Sequence, residues 1–180
     1  MKNIIVCGLI GTGKTTICQK ISKKLNMKYI DLYSIVDSKE ISQDKFQMSK
    51  MLKVKIDNYL ETLDNCVIDC DYLILPKDFN EYRVNKNFNI IYLGFNDVNI
   101  NLLLNKFIMD YESKNIKYDK EKLFEKLKYY KSVSNKVYKD CKKYNYKFFD
   151  INRNKQEVID EVLNYILNLF WFCVCITKNH

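Results

Sequence analysis

At 180 residues the chain has room for one domain with a full core, and 47% hydrophobic against 29% charged residues is a globular balance. The net charge of +8 would draw anions, but the lysines are spread along the whole chain and arginine occurs only at Arg83 and Arg153, so a dedicated nucleic-acid surface is not expected. The one histidine, His180, is the last residue, which removes Ser–His–Asp and Cys–His nucleophile systems and histidine metal clusters.

Ile4 to Cys7 is a short β-branched run that stops at a glycine, and it predicts a buried strand. From Lys14 the spacing Ile17, Ile21, Leu25 predicts one face of a helix. Lys28 to Asp31 reads as a second strand, and residues 47–63, with Met48, Met51, Leu52, Ile56, Tyr59, Leu60 and Leu63, as another helix. A third strand around Val67 and Ile68 ends at Asp69, and a fourth, Ile90 to Leu93, is closed by Gly94. Asp97 is the expected N-cap of a helix through Leu103, Phe107 and Tyr111. A longer helix follows Asp119, a fifth strand spans Lys147 to Ile151, and Val158, Val162, Ile166 and Phe170 mark the last helix. Strands alternating with helices imply an α/β fold with a parallel sheet covered on both faces.

Residues 1–170 are expected to form one domain and 171–180 an apolar tail. The apolar run Phe-Trp-Phe-Cys-Val-Cys-Ile, from Phe170 to Ile176, reads as a buried helix end, a final strand or an interfacial anchor, and is too short for a membrane span. Seven dispersed cysteines with no export signal point to reduced thiols in a cytoplasmic setting, and none has a partner pair at zinc-site spacing.

Gly8-Leu9-Ile10-Gly11-Thr12-Gly13-Lys14-Thr15 matches G-x-x-x-x-G-K-[ST] in full, between an expected strand and an expected helix. Glycines let successive N–H groups converge on a phosphate, and the helix start adds its dipole. Lys14 supplies charge to the β- and γ-phosphates and Thr15 a hydroxyl to Mg²⁺. Three of the four glycines fall within these eight residues, so the loop is the strong signal. Asp69 sits where a metal-binding acid is expected, or caps a turn there. Asp71 shares its face if the strand continues, and so becomes a candidate for the acceptor hydroxyl. Asp31 ends a neighbouring strand, where it either meets acceptor or metal water or serves as a cap. Arg153 and Lys155 either wall a base pocket or are solvated.

The run G-x-x-G-x-G-K-T-T, with Tyr-Ile-Asp, Val-Ile-Asp-Cys-Asp and Phe-Phe-Asp-Ile further on, resembles the small P-loop kinases, the nucleoside monophosphate kinases, shikimate kinase and their relatives. The resemblance implies a P-loop NTPase three-layer sandwich, with a five-stranded parallel sheet and helices on both faces. It implies that Lys14 and the loop amides hold ATP, that Thr15 and Asp69 organise Mg²⁺, that Asp31 lies by the acceptor, and that the segment after Ile151 packs on adenine. Two departures stand out. Residues 95–145 contain no arginine where such kinases carry lid arginines, leaving Lys106, Lys114, Lys117, Lys120 and Lys122. Asp69-Cys70-Asp71-Tyr72 replaces the Asp-Gly-Phe-Pro-Arg of adenylate kinases.

The expected function is an ATP- and Mg²⁺-dependent phosphotransferase acting on a small-molecule or nucleotide acceptor. Lys14 and Asp71 would be catalytic, Gly8 to Thr16 together with Arg153 would bind the cofactor, and Thr15 and Asp69 would hold the metal. Asp31, Asp71 and Arg83 would bind the acceptor, with Lys77 nearby. The rival expectation is a P-loop switch or a degraded kinase with slow or no hydrolysis. Neither nucleic acid nor membrane is an expected partner.

Overall fold

The computed structural model describes residues 3–35, 64–71, 75–77 and 88–177, together with Met51, Val54 and Phe79. Within them lie β1 (Asn3–Gly8), α1 (Lys14–Leu25), β2 (Lys28–Asp31), a 3₁₀ turn (Leu32–Ile35), β3 (Cys66–Asp71), β4 (Phe88–Gly94), α2 (Ile100–Ser113), α3 (Lys120–Tyr144), β5 (Lys147–Asp150) and α4 (Lys155–Thr177). The strands form one sheet in the order β2-β3-β1-β4-β5, and every pairing is parallel.

All six residues of β1 are buried, as a central parallel strand covered on both faces requires. Ile4 and Val6 face Ile17, Cys18 and Ile21 of α1 and Val158, Val162 and Ile166 of α4. Ile5 and Cys7 face the other way, toward Ile68, Cys70, Tyr92 and, from α3, Val137 and Cys141. α2 lies against α3 in a third cluster, where Leu103 and Leu104 meet Leu123, Leu127 and Tyr130 over Leu9 and Phe95. The result is the three-layer α/β architecture expected from the alternation of elements.

Several boundaries differ from the sequence reading, β4 among them, which starts at Phe88 and not at Ile90. β3 runs two residues beyond Asp69 because Cys70 and Asp71 continue the ladder against Cys7 and Gly8. β5 stops at Asp150, although Ile151 still donates its N–H to the Gly94 carbonyl at 2.9 Å. Asp97 does not cap α2. Its φ is +50°, and Asn99 takes the cap, its Oδ1 accepting from the N–H groups of Asn101 and Leu102. Asp119 does cap α3 in the same way.

The expected helix over 47–63 lies outside the described residues, except that Met51 and Val54 are helical. α4 continues unbroken to Thr177, so the backbone of the apolar tail is helical there and not a strand. No helix among the described residues is long and apolar enough to cross a membrane. Cys7, Cys18, Cys66, Cys70 and Cys141 are buried thiols, and none of them forms a disulfide.

β1 sits between β3 and β4, and the chain leaves it first toward one edge of the sheet and later toward the other. That reversal opens a crevice at the carboxyl end of β1, the end at which Gly8 begins the glycine loop.

Candidate functional site

The loop folds around a single carbonyl. Leu9 is buried, and its oxygen accepts from Thr12 N at 3.3 Å, Thr12 Oγ1 at 2.7 Å and Lys14 Nζ at 3.0 Å. Gly11 and Gly13 hold φ of 82° and 85°, a region side-chain-bearing residues enter only at a cost. Gly13 caps α1 with no side-chain hydrogen bond, and the first turn carries no acidic residue. The amides and positive dipole end of α1 therefore face the loop, where a phosphate would be held.

Thr15, on the first turn of α1, donates from Oγ1 to Asp69 Oδ2 at 2.6 Å. Tyr29 of β2 donates to the same oxygen at 3.4 Å. Parallel register sets Asp31 beside Asp69 on adjacent strands, and Asp71 beside Gly8. Asp69 is only 7% exposed, and burial lifts its carboxyl above the usual carboxylate range, with Asp31 adding to the shift. The Thr15 hydrogen bond, the Lys14 charge and the Tyr29 hydroxyl pull it back. Tyr29 is itself pushed up to about 12 by burial and by the Asp69 and Asp31 carboxylates. Two neighbouring carboxylates with a hydroxyl form a hard oxygen donor set, which fits Mg²⁺ held through one or two carboxylates and water.

A cavity of about 860 Å³ adjoins the loop. Its floor is Gly11 to Ile17, one wall is Leu103, Lys106, Phe107 and Asp110 of α2 with the C-cap Lys114, and the other is Ile151 to Asn154 between β5 and α4. The Phe107 ring lies so close to the loop that a Cβ on Gly11 would stand 2.8 Å from its Cζ. The volume suits a nucleotide-sized ligand whose phosphates rest on the loop.

Lys14, Thr15, Thr16, Asp69 and Asp31 are thus gathered at one end of the sheet. Arg153 lines the cavity, but its guanidinium also pairs with Glu161 and is more than half exposed. Lys77 is exposed. For Asp71 the strand position is described and the side chain lies outside the description, as do the side chain of Lys155 and the whole of Arg83. Sequence reasoning missed the α2 wall as part of this cavity, naming Lys106 and Lys114 only as lid charges and Phe107 only as a helix face. Tyr29 was read only as part of the Tyr-Ile-Asp run, with no role of its own. Its one signal was its place two residues before Asp31 in an extended strand, which puts both on one face.

A family model described as an AAA domain matches residues 4–91, the stretch from β1 into β4 that includes the loop and Asp69. A shikimate kinase of Sulfurihydrogenibium sp. (strain YO3AOP1) is 25% identical over 134 residues, covering 68% of this chain and 76% of its own. Among solved structures, shikimate kinase from Acinetobacter baumannii in complex with shikimate superposes with a TM-score of 0.60 at 16% identity, covering 93% of this chain and 94% of its own. A gluconokinase from Sinorhizobium meliloti 1021 gives 0.60 at 13% identity over 95% and 96%. The chain has the fold of the small P-loop kinases, and the resemblance read from its sequence is borne out.

Proposed function

We propose that this chain is an ATP- and Mg²⁺-dependent phosphotransferase that moves the γ-phosphoryl group of ATP to a small acceptor. The observation that carries the reading is the 2.6 Å hydrogen bond from Thr15 to Asp69 at the mouth of the glycine loop, beside a cavity of nucleotide size. Thr15 and Asp69 would hold Mg²⁺, which neutralises charge between the β- and γ-phosphates when bound. Lys14 would give up the Leu9 carbonyl for phosphate oxygens, and the loop amides with the α1 dipole would bind the rest. Asp31 and Asp71, with Arg83, are the proposed acceptor contacts, and Arg153 belongs to the base wall. Catalysis by such a site is positioning and charge neutralisation, with no covalent intermediate on the protein.

A second reading, a P-loop switch or degraded kinase, is favoured by the absence of arginine from residues 95–145. Against it, Lys106 of α2 and the C-cap Lys114 line the same cavity and would supply point charges, though without the planar fork of arginine. ADP release from Mg²⁺–ATP separates the two. Shikimate heads the acceptor panel because relatives carry its name, followed by nucleosides, nucleoside monophosphates and other hydroxylated metabolites. An acceptor that raises ADP release well above background supports the kinase. ATP binding with no acceptor-dependent release across the panel moves the assignment to the switch or degraded kinase.

A further inference from the structure

Two hydroxyls converge on one oxygen of Asp69, and the loop motif accounts for only one of them. Thr15 belongs to the motif, and its Oγ1 lies 2.6 Å from Oδ2. Tyr29 belongs to β2, opposite Val67 in the ladder and two residues ahead of the Asp31–Asp69 pair, so its ring reaches along the sheet to bring its hydroxyl within 3.4 Å of the same oxygen. That ring is partly buried and packs against the core cluster to which Ile17, Cys18 and Ile21 of α1 and Val67 of β3 belong. A phenylalanine would fill the same volume, so packing alone does not call for the phenol.

We infer that Tyr29 is a positioning residue for the Mg²⁺ carboxylate: with Thr15 it pins Oδ2 of Asp69 and turns Oδ1 toward the water shell of the cation. The inference rests on the P-loop reading above. One hydrogen bond leaves a carboxylate free to turn about its last torsion, whereas two donors arriving from different elements, α1 and β2, fix the plane of the group. Such outer partners orient metal-holding oxygens without touching the metal. The competing explanation is that Asp69 merely satisfies a half-buried phenol. In that case loss of the hydroxyl leaves the metal unaffected.

Tyr29→Phe decides between them through binding alone. The affinity of the whole chain for ATP is measured in excess Mg²⁺ and in EDTA, and the ratio of the two gives the contribution of the metal. In Tyr29→Phe that ratio should fall by about tenfold while the EDTA affinity stays within about twofold of wild type. A ratio equal to that of wild type overturns the inference. So does an equal loss of affinity in both conditions, which would mean that the phenol supports the loop generally. Wild type that gains nothing from Mg²⁺ yet binds ATP in EDTA overturns the inference together with the metal role of Thr15 and Asp69, and leaves ATP binding by the loop standing. No ATP binding in either condition sinks the P-loop reading, and the inference with it.

Discussion

Asp69 is held where burial opposes its charge while its proposed task requires that charge. The structure meets the conflict with donors, Thr15 at 2.6 Å and Tyr29 at 3.4 Å, and with the nearby charge of Lys14. Burial still prevails, and the carboxyl stays above its ordinary value of 3.8. A folded value above the unfolded one means that the native state binds this proton more tightly than the unfolded chain does. Stability therefore falls as pH rises through the folded value, and the loss persists at neutral pH. Asp69→Asn removes the charge and keeps an oxygen to accept from Thr15. The metal-free variant should melt above wild type at pH 7, and the two melting curves should converge as pH drops below 3.8. A variant that melts lower at pH 7 and stays lower in acid would show that hydrogen bonding at Asp69, not its buried charge, dominates the site. The residue was legible in the sequence as the acid ending Val-Ile-Asp. Its phenol partner was not, because Tyr29 lies 40 positions away and a strand pattern does not say which side chain leans toward which neighbour.

At the level of elements, periodicity located the five strands and α1 to α4, though not the 3₁₀ turn Leu32–Ile35, and local chemistry decided their ends. The start of α2 shows why those ends were harder. Asn96, Asp97 and Asn99 are all residues that cap helices, and only the fold selects the one whose side chain meets the second and third amides. Asp97 instead occupies a left-handed turn at φ +50°. The two positions should therefore respond in opposite directions. Asn99→Ala should cost about 1 kcal/mol of stability, the usual loss for an N-cap. Asp97→Gly should be neutral or slightly stabilising, since glycine enters that region freely. Chemical denaturation of both variants checks this, and an Asp97→Gly variant that loses as much as Asn99→Ala would contradict the cap assignment. The same scarcity of glycine explains the helix ends. Asn26 closes α1 and Asn145 closes α3, both left-handed at φ 50° and 56°, where glycine is the commoner choice. A search for glycine stop signals misses them.

For the whole molecule, the order β2-β3-β1-β4-β5 converts a linear motif into a site. It brings Asp31 and Asp69 beside the loop from the β2–β3 side and carries α2 and the β5–α4 connection over it from the other. The alternation of strands and helices implied a parallel sheet, and the loop implied where its crevice would open. The cavity walls were not legible, because residues 103–114 and 151–154 meet only through the packing of α2 on α3 and of β5 on β4. A ligand bridging the loop, α2 and the β5–α4 connection contacts segments from across the chain, so it should stabilise the molecule as a unit. At a concentration about a hundredfold above its dissociation constant, such a ligand adds about 2.7 kcal/mol. In a chain of this size each kcal/mol raises Tm by roughly 2–4 °C, so saturating Mg²⁺–ATP should shift Tm by roughly 5–10 °C. Lys14→Ala removes the loop cation and its bond to the Leu9 carbonyl, and the shift should vanish in that variant. A Lys14→Ala protein that is folded without nucleotide and still shows the full shift would place the nucleotide somewhere other than this loop.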